Sequence, residues 1–108
     1  MIMQKVKPRN PKLIREFRKE SDCCERCNSR FSLEVAHITS KGAGGPDIRE
    51  NLLKLCGPAS MGMGCHGAAH KGKISQEELY ELVGRREGIT AAECRIRTRR
   101  AMGYAVRS

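Results

Sequence analysis

Four cysteines and three histidines fall between positions 24 and 70: Cys24, Cys27, Cys56 and Cys65, with His37, His66 and His70. Cys24 and Cys27 form a C-x2-C turn, in which two thiolates can grip a single tetrahedral ion at Zn–S distances of about 2.3 Å. Cys56 and Cys65, with eight residues between them, supply a second pair. Four thiolates make a closed set that suits structural zinc, because no position stays open for water. Three cysteines with His66 or His70 as the fourth ligand, or Cys23 in place of Cys24, are open alternatives at this point. Cys94 fits a small apolar residue on a helix. His66 and His70 stand four apart, so on a helix both imidazoles can reach one ion.

The composition bears on what must hold these residues in place. At 108 residues the chain makes one domain, and with no Trp, two Tyr and two Phe its apolar core is thin. A domain of this size needs a staple, and its six cysteines can provide one. Lys5, Lys7 and Arg9 follow Met1 with no apolar stretch, and no run of the chain is apolar enough to span a membrane. The expectation is therefore a reducing cytoplasm, where clustered cysteines bind metal more often than they pair as disulfides. Lys and Arg number 21 against 12 Asp and Glu, a net charge of +9. Such an excess favours a polyanion, because each cation that meets a phosphate releases counterions. Nucleic acid is the expected partner, and a membrane surface is not, since no amphipathic segment pairs a basic face with large aromatics.

The positioning elements can be read in order. Residues 1–10 are a basic lead-in, expected to be loose. Asn10 and Pro11 are suited to start a helix running to about Glu20, with Leu13, Ile14 and Phe17 on one face and a basic face that includes Lys12 and Arg15. Alternation predicts a strand over Phe31–Thr39, with Phe31, Leu33, Val35 and His37 pointing one way. A glycine-rich loop from Ser40 to Asp47 leads to a second, antiparallel strand over Leu52–Leu55, ended by Cys56. Residues 57–64 (GPASMGMG) are expected to form a flexible excursion, and His66–His70 a short helix. Ser75 with Glu78, and Thr90 with Glu93, form capping boxes for two further helices, to about Arg85 and through Arg100. The last of these carries Arg95, Arg97, Arg99 and Arg100. The helix pair loosely resembles a helix-turn-helix, but alternating arginines spread around a helix, which favours general phosphate contact over base reading.

Taken together, the run C-x2-C, VAHI, KGAGG-PD, EN-LLKLC and CH-x3-H resembles the HNH endonucleases, over about residues 23–71. That resemblance implies a small α+β protein with a ββα-metal core of two antiparallel strands and a helix around one divalent cation. A structural four-cysteine zinc and flanking N- and C-terminal helices complete the expectation. In this scheme 1–22 is a basic arm and helix, 23–72 the nuclease core with its zinc site, and 73–108 basic helices of the same domain.

Carried over residue by residue, the resemblance makes His37 the general base, Asn51 the residue that steadies the loop between the strands, and His66 and His70 the holders of a catalytic cation such as Mg²⁺, Mn²⁺ or Ni²⁺. It implies DNA as the substrate, with Lys12, Arg15, Arg95, Arg97, Arg99 and Arg100 as phosphate contacts. A phage or prophage setting in a bacterial cell, with packaging or recombination proteins as companions, is a further implication. Two departures stand out. Many relatives carry an Asp or His metal ligand where this chain has Ala36, leaving Asp47 and Glu34 as candidate replacements. Residues 57–64 also lengthen the span between Cys56 and Cys65. A noncatalytic, zinc-stabilised nucleic-acid-binding module is the rival expectation, and Ala36 is the feature that favours it.

Overall fold

The computed structural model describes residues 9–103. Residues 1–8, most of the lead-in expected to be loose, lie outside that range. Arg9 and Asn10, at its end, are anchored rather than loose, both bonding the buried carboxylate of Asp47.

Helix α1 spans Pro11–Lys19, with the Asn10 side chain accepting from the Leu13 amide and Pro11 in the first turn. Its buried residue is Phe17. A basic residue from the sheet secures its far end: Lys54, only 4% exposed, donates from Nζ to the carbonyls of Arg18 and Ser21. Helix C-termini leave carbonyls without helical partners, and an ammonium satisfies both their bonding and their partial negative charge.

Strands β1 (Leu33–His37) and β2 (Leu52–Cys56) form a two-stranded antiparallel sheet in which Leu33 faces Cys56, Val35 faces Lys54 and His37 faces Leu52. β1 is shorter than the alternation predicts. Ser32 takes a positive φ of 48°, which breaks the extended run, and Phe31 before it is 82% exposed instead of sharing the face of Leu33. At the other end the Ile38 amide turns to the Asn51 carbonyl. Every residue of β2 is buried, because the sheet is covered on both sides.

Residues 57–64 do not form the flexible excursion expected of them. A 3-10 turn, Ala59–Met61, closes on the bonds Gly62 N to Ala59 O and Met63 N to Pro58 O. Gly62 then packs so closely on Gly67 that a Cβ at Gly67 would stand 2.3 Å from the Gly62 carbonyl carbon. Helix α2 (Gly64–His70) follows directly.

Helices α3 (Gln76–Glu87) and α4 (Ala91–Ala101) begin as their capping boxes predict, the Ser75 and Thr90 hydroxyls accepting from the amides of Glu78 and Glu93. α3 runs two residues past its expected end and stops at Gly88, in the left-handed conformation. The core joins Ala36 and Ile38 to Leu53 and Leu55 of β2, then to Ile74, Leu79, Tyr80 and Val83, with Cys94 of α4 as the small apolar residue expected. An ionic layer ties α1 to α3: Arg86 bonds Glu25 and Glu87, Arg49 bonds Glu20 and Glu87, and both guanidinium groups lie over the Phe17 ring. Among the described residues, no helix is long and apolar enough to cross a membrane. The described residues thus form a small α+β protein with a two-stranded sheet, four α-helices and a cluster of four cysteines.

Candidate functional site

The C-x2-C turn folds back through the Cys24 amide donating to the Ser29 carbonyl and the Asn28 amide to the Cys24 carbonyl. Asn28 takes a positive φ of 65° to close it. Cys56 ends β2 and Cys65 lies in the first turn of α2, so three separate elements deliver four thiols to one point. The Sγ atoms of Cys24, Cys27, Cys56 and Cys65 all lie within 4.8 Å of one another, and those of Cys27 and Cys56 are 3.7 Å apart. A tetrahedron with Zn–S bonds of about 2.3 Å has S···S edges of about 3.8 Å, so the cluster matches such an ion in size as well as donor type.

Backbone amides reinforce the fit. The Arg26 amide reaches Cys24 Sγ at 3.4 Å, and the Cys65 amide reaches Cys56 Sγ at 3.3 Å. Burial works against ionisation of Cys24, but the amides of Cys27, Cys56 and Arg26 outweigh it and bring the thiol down to about 7. Burial pushes Cys65 up to about 12, so without a cation the four sulfurs cannot all ionise together. A divalent ion removes that conflict. The group can thus hold a metal such as zinc, with neither His66 nor His70 among its members. Cys23 stands outside it, its sulfur 3.7 Å from the Ser21 hydroxyl.

The three histidines meet elsewhere. A cleft of about 400 Å³ between β1, α2 and the start of α3 is lined by His37, His66 and His70, together with Ala36, Thr39 and Gln76. His66 and His70 lie edge to face, ring centroids 4.5 Å apart, as positions i and i+4 of one short helix allow. Glu34 Oε1 lies 2.8 Å from His66 Nδ1 and also accepts from the Ala59 amide at 2.9 Å. These bonds, the Ala59 amide first, hold the Glu34 carboxyl below its usual range. With Nδ1 so occupied, Nε2 is the nitrogen of His66 left for another partner. Among the described residues the four cysteines are the one set of three or more metal-capable side chains with their ligand atoms close together, so no third side chain closes around His66 and His70. Ala36 is 3% exposed and offers no ligand atom.

His37 is the last residue of β1, and its Nε2 lies 2.7 Å from Asp47 Oδ1. Burial lowers the His37 pKa more than the neighbouring carboxylate raises it, so the ring favours its neutral form. Asp47 is 5% exposed, and burial alone would raise its carboxyl; the bonds from His37, the Asn10 amide and Arg9 reverse this and hold it low. Asp47 was a candidate metal ligand in the sequence, but its oxygens are committed to those three partners.

Asn51 is fully buried just before β2. Its Oδ1 accepts from the Thr39 amide at 2.8 Å, and its Nδ2 donates to the carbonyls of Thr39 and Pro46, each at 3.0 Å. One side chain thus binds both ends of the loop that separates His37 from β2.

The arginines of α4 are largely engaged within the protein. Arg95 pairs with Glu77, and Arg97 with Glu50 and Glu93. Arg99 is exposed and also interacts within the protein. On α1, Lys12 and Arg15 are exposed without an ion pair among the described residues, as is Arg100 on α4. The bond from Arg9 to Asp47, the partner of His37, had no signal in the sequence, since one cation in a basic lead-in resembles any other. Comparison with protein-family models, curated proteins and solved structures finds no match to this chain.

Proposed function

We propose that the chain is a metal-dependent DNA endonuclease of the HNH type, with β1, the Asn51-held loop, β2 and α2 as a ββα-metal core and the four cysteines as its zinc staple. The main support is the convergence of His37, His66 and His70 on one cleft from a strand end and a helix, in the chain order that the sequence resemblance requires. The donors fit a catalytic cation to the extent of two imidazoles on one helix face, one of them already oriented by Glu34. Imidazole pairs suit Mn²⁺ and Ni²⁺, while Mg²⁺ would rely more on water. Such an ion would supply Lewis acidity toward the phosphate and the departing 3′ oxygen.

His37 takes a proton from water as the water oxygen adds to phosphorus. The P–O3′ bond breaks, solvent protonates the released 3′ oxygen, and the imidazolium later returns its proton to solvent. A partly buried imidazole whose neutral form is favoured is suited to that task near neutral pH. Asn51 keeps the loop, and with it the surroundings of His37, in place. Lys12 and Arg15 on α1 and Arg100 on α4, exposed and without an ion pair among the described residues, are freer to meet phosphates than the paired Arg95 and Arg97. DNA is the partner, and the phage or prophage setting rests on the resemblance alone.

Ala36 favours the second reading, a zinc-stabilised binding module without activity, because the cleft lacks a third ligand there. A plasmid nicking assay separates the two, run on zinc-loaded wild type and His37→Ala with Mg²⁺, Mn²⁺ or Ni²⁺. Nicking that depends on the added cation and is lost in His37→Ala, with DNA binding and zinc content retained, is the expected result. Salt-sensitive DNA binding without nicking under any cation would favour the module.

A further inference from the structure

We propose that Asp47 is a positioning residue that locks His37 in its Nε2–H tautomer, so that Nδ1 is the nitrogen that takes the proton. The catalytic part of this rests on the nuclease reading above; the lock itself is a property of the folded chain. A neutral imidazole carries one proton, so one ring nitrogen donates and the other accepts. Asp47 Oδ1, 2.7 Å from Nε2, belongs to a carboxylate that is ionised and only accepts. Nε2 must therefore hold the hydrogen. Nδ1, which has no hydrogen-bond partner among the described residues, keeps its lone pair, on a side chain that lines the cleft of His66 and His70.

The carboxylate is itself held from several sides. Oδ1 also accepts from Arg9 Nη1 at 2.9 Å, and Oδ2 from the Asn10 amide at 2.8 Å. Arg9 Nη2 continues to the Gly45 carbonyl, and Asn51 holds the Pro46 carbonyl next to it. Gly45 allows the close passage: a Cβ there would stand 1.7 Å from the Thr39 carbonyl oxygen. The segment just before α1 and the loop after β1 therefore enclose a dyad in which the base cannot rotate or change tautomer without breaking bonds to buried groups. Proton uptake at Nδ1 then places the imidazolium against an existing negative charge, which stabilises it as it forms.

An Asn at 47 cannot reproduce this. With its oxygen toward His37 and Arg9, its NH2 meets the Asn10 amide donor; turned over, its NH2 meets Arg9 and obliges Nε2 to accept, which moves the ring proton to Nδ1.

The test uses the full, zinc-loaded chain. Long-range ¹H–¹⁵N correlation spectra report the tautomer of each histidine, and with three in the chain, single His substitutions assign them. The expected wild-type spectrum shows His37 protonated at Nε2. A His37 protonated at Nδ1 overturns the proposal, whatever the activity. In the nicking assay Asp47→Asn should lose roughly 100-fold or more in single-turnover rate, with DNA affinity and zinc content retained. A folded Asp47→Asn that nicks at the wild-type rate overturns the catalytic role. If the wild type fails to nick under every added cation, the nuclease reading fails, and the wild-type spectrum alone decides whether the lock exists.

Discussion

Replacing Asn51 by Ala probes the loop that carries the site, and its cost follows from the bonds removed. Three hydrogen bonds disappear, from the Thr39 amide and to the carbonyls of Thr39 and Pro46. At a net worth of about 1 kcal/mol each, their loss amounts to about 3 kcal/mol, and more if the freed backbone groups stay dry. For a domain whose whole stability is of order 5–15 kcal/mol, that is a severe change. It corresponds to a fall in melting temperature of roughly 15 °C for a chain of about this length. The measurement is urea unfolding of both proteins at one fixed free zinc concentration, because metal bound to the native state adds its own stability. Asn51→Asp makes a stricter comparison, since it keeps the acceptor for the Thr39 amide but sets a carboxylate against two carbonyls. It should be no better tolerated than Ala. A loss below about 1 kcal/mol in Asn51→Ala would refute the reasoning, because water or a backbone shift would then be satisfying all three groups.

Cys27→Ser should lower zinc content and melting temperature together, since metal binding at such a site is coupled to folding; full zinc with an unchanged melting temperature would remove Cys27 from the ligand set. Acidification should destabilise the protein in two ranges. His37 has a folded pKa below its unfolded value of about 6.5, so the unfolded chain binds the extra proton and stability falls as pH drops from about 6.5 through the folded pKa. Glu34, Asp47 and Glu87 are also depressed, and their contribution is lost below about pH 4.5 as they protonate. At equal free zinc, His37→Ala should show a shallower slope between pH 7 and 5 than wild type, and equal slopes would contradict the assigned burial of His37.

Features that depend on neighbouring residues alone are legible before folding is considered. Ser75 and Thr90 predict the starts of α3 and α4, because a capping box is completed within four residues. The C-x2-C turn, the i,i+4 pair His66 and His70, and a strand that carries His37 are legible for the same reason, although that strand, expected over Phe31–Thr39, spans only Leu33–His37. Cys56 and Cys65 could be suspected as the second half of the cluster, but only the packing of α2 against the end of β2 brings their sulfurs to Cys24 and Cys27 and leaves Cys23 and the histidines outside. Lys54 lies buried in β2 because the end of α1 presents carbonyls above it. The tertiary structure alone turned Asp47 from a possible metal ligand into the partner of His37, recruited Arg9 from the lead-in, and paired Arg95 and Arg97 with acids up to 47 positions away. Spacing determines which groups share a turn or a helix face. Charge pairing and tautomer depend on what the folded chain brings within 3 Å or so across the sequence, and no local pattern encodes that distance.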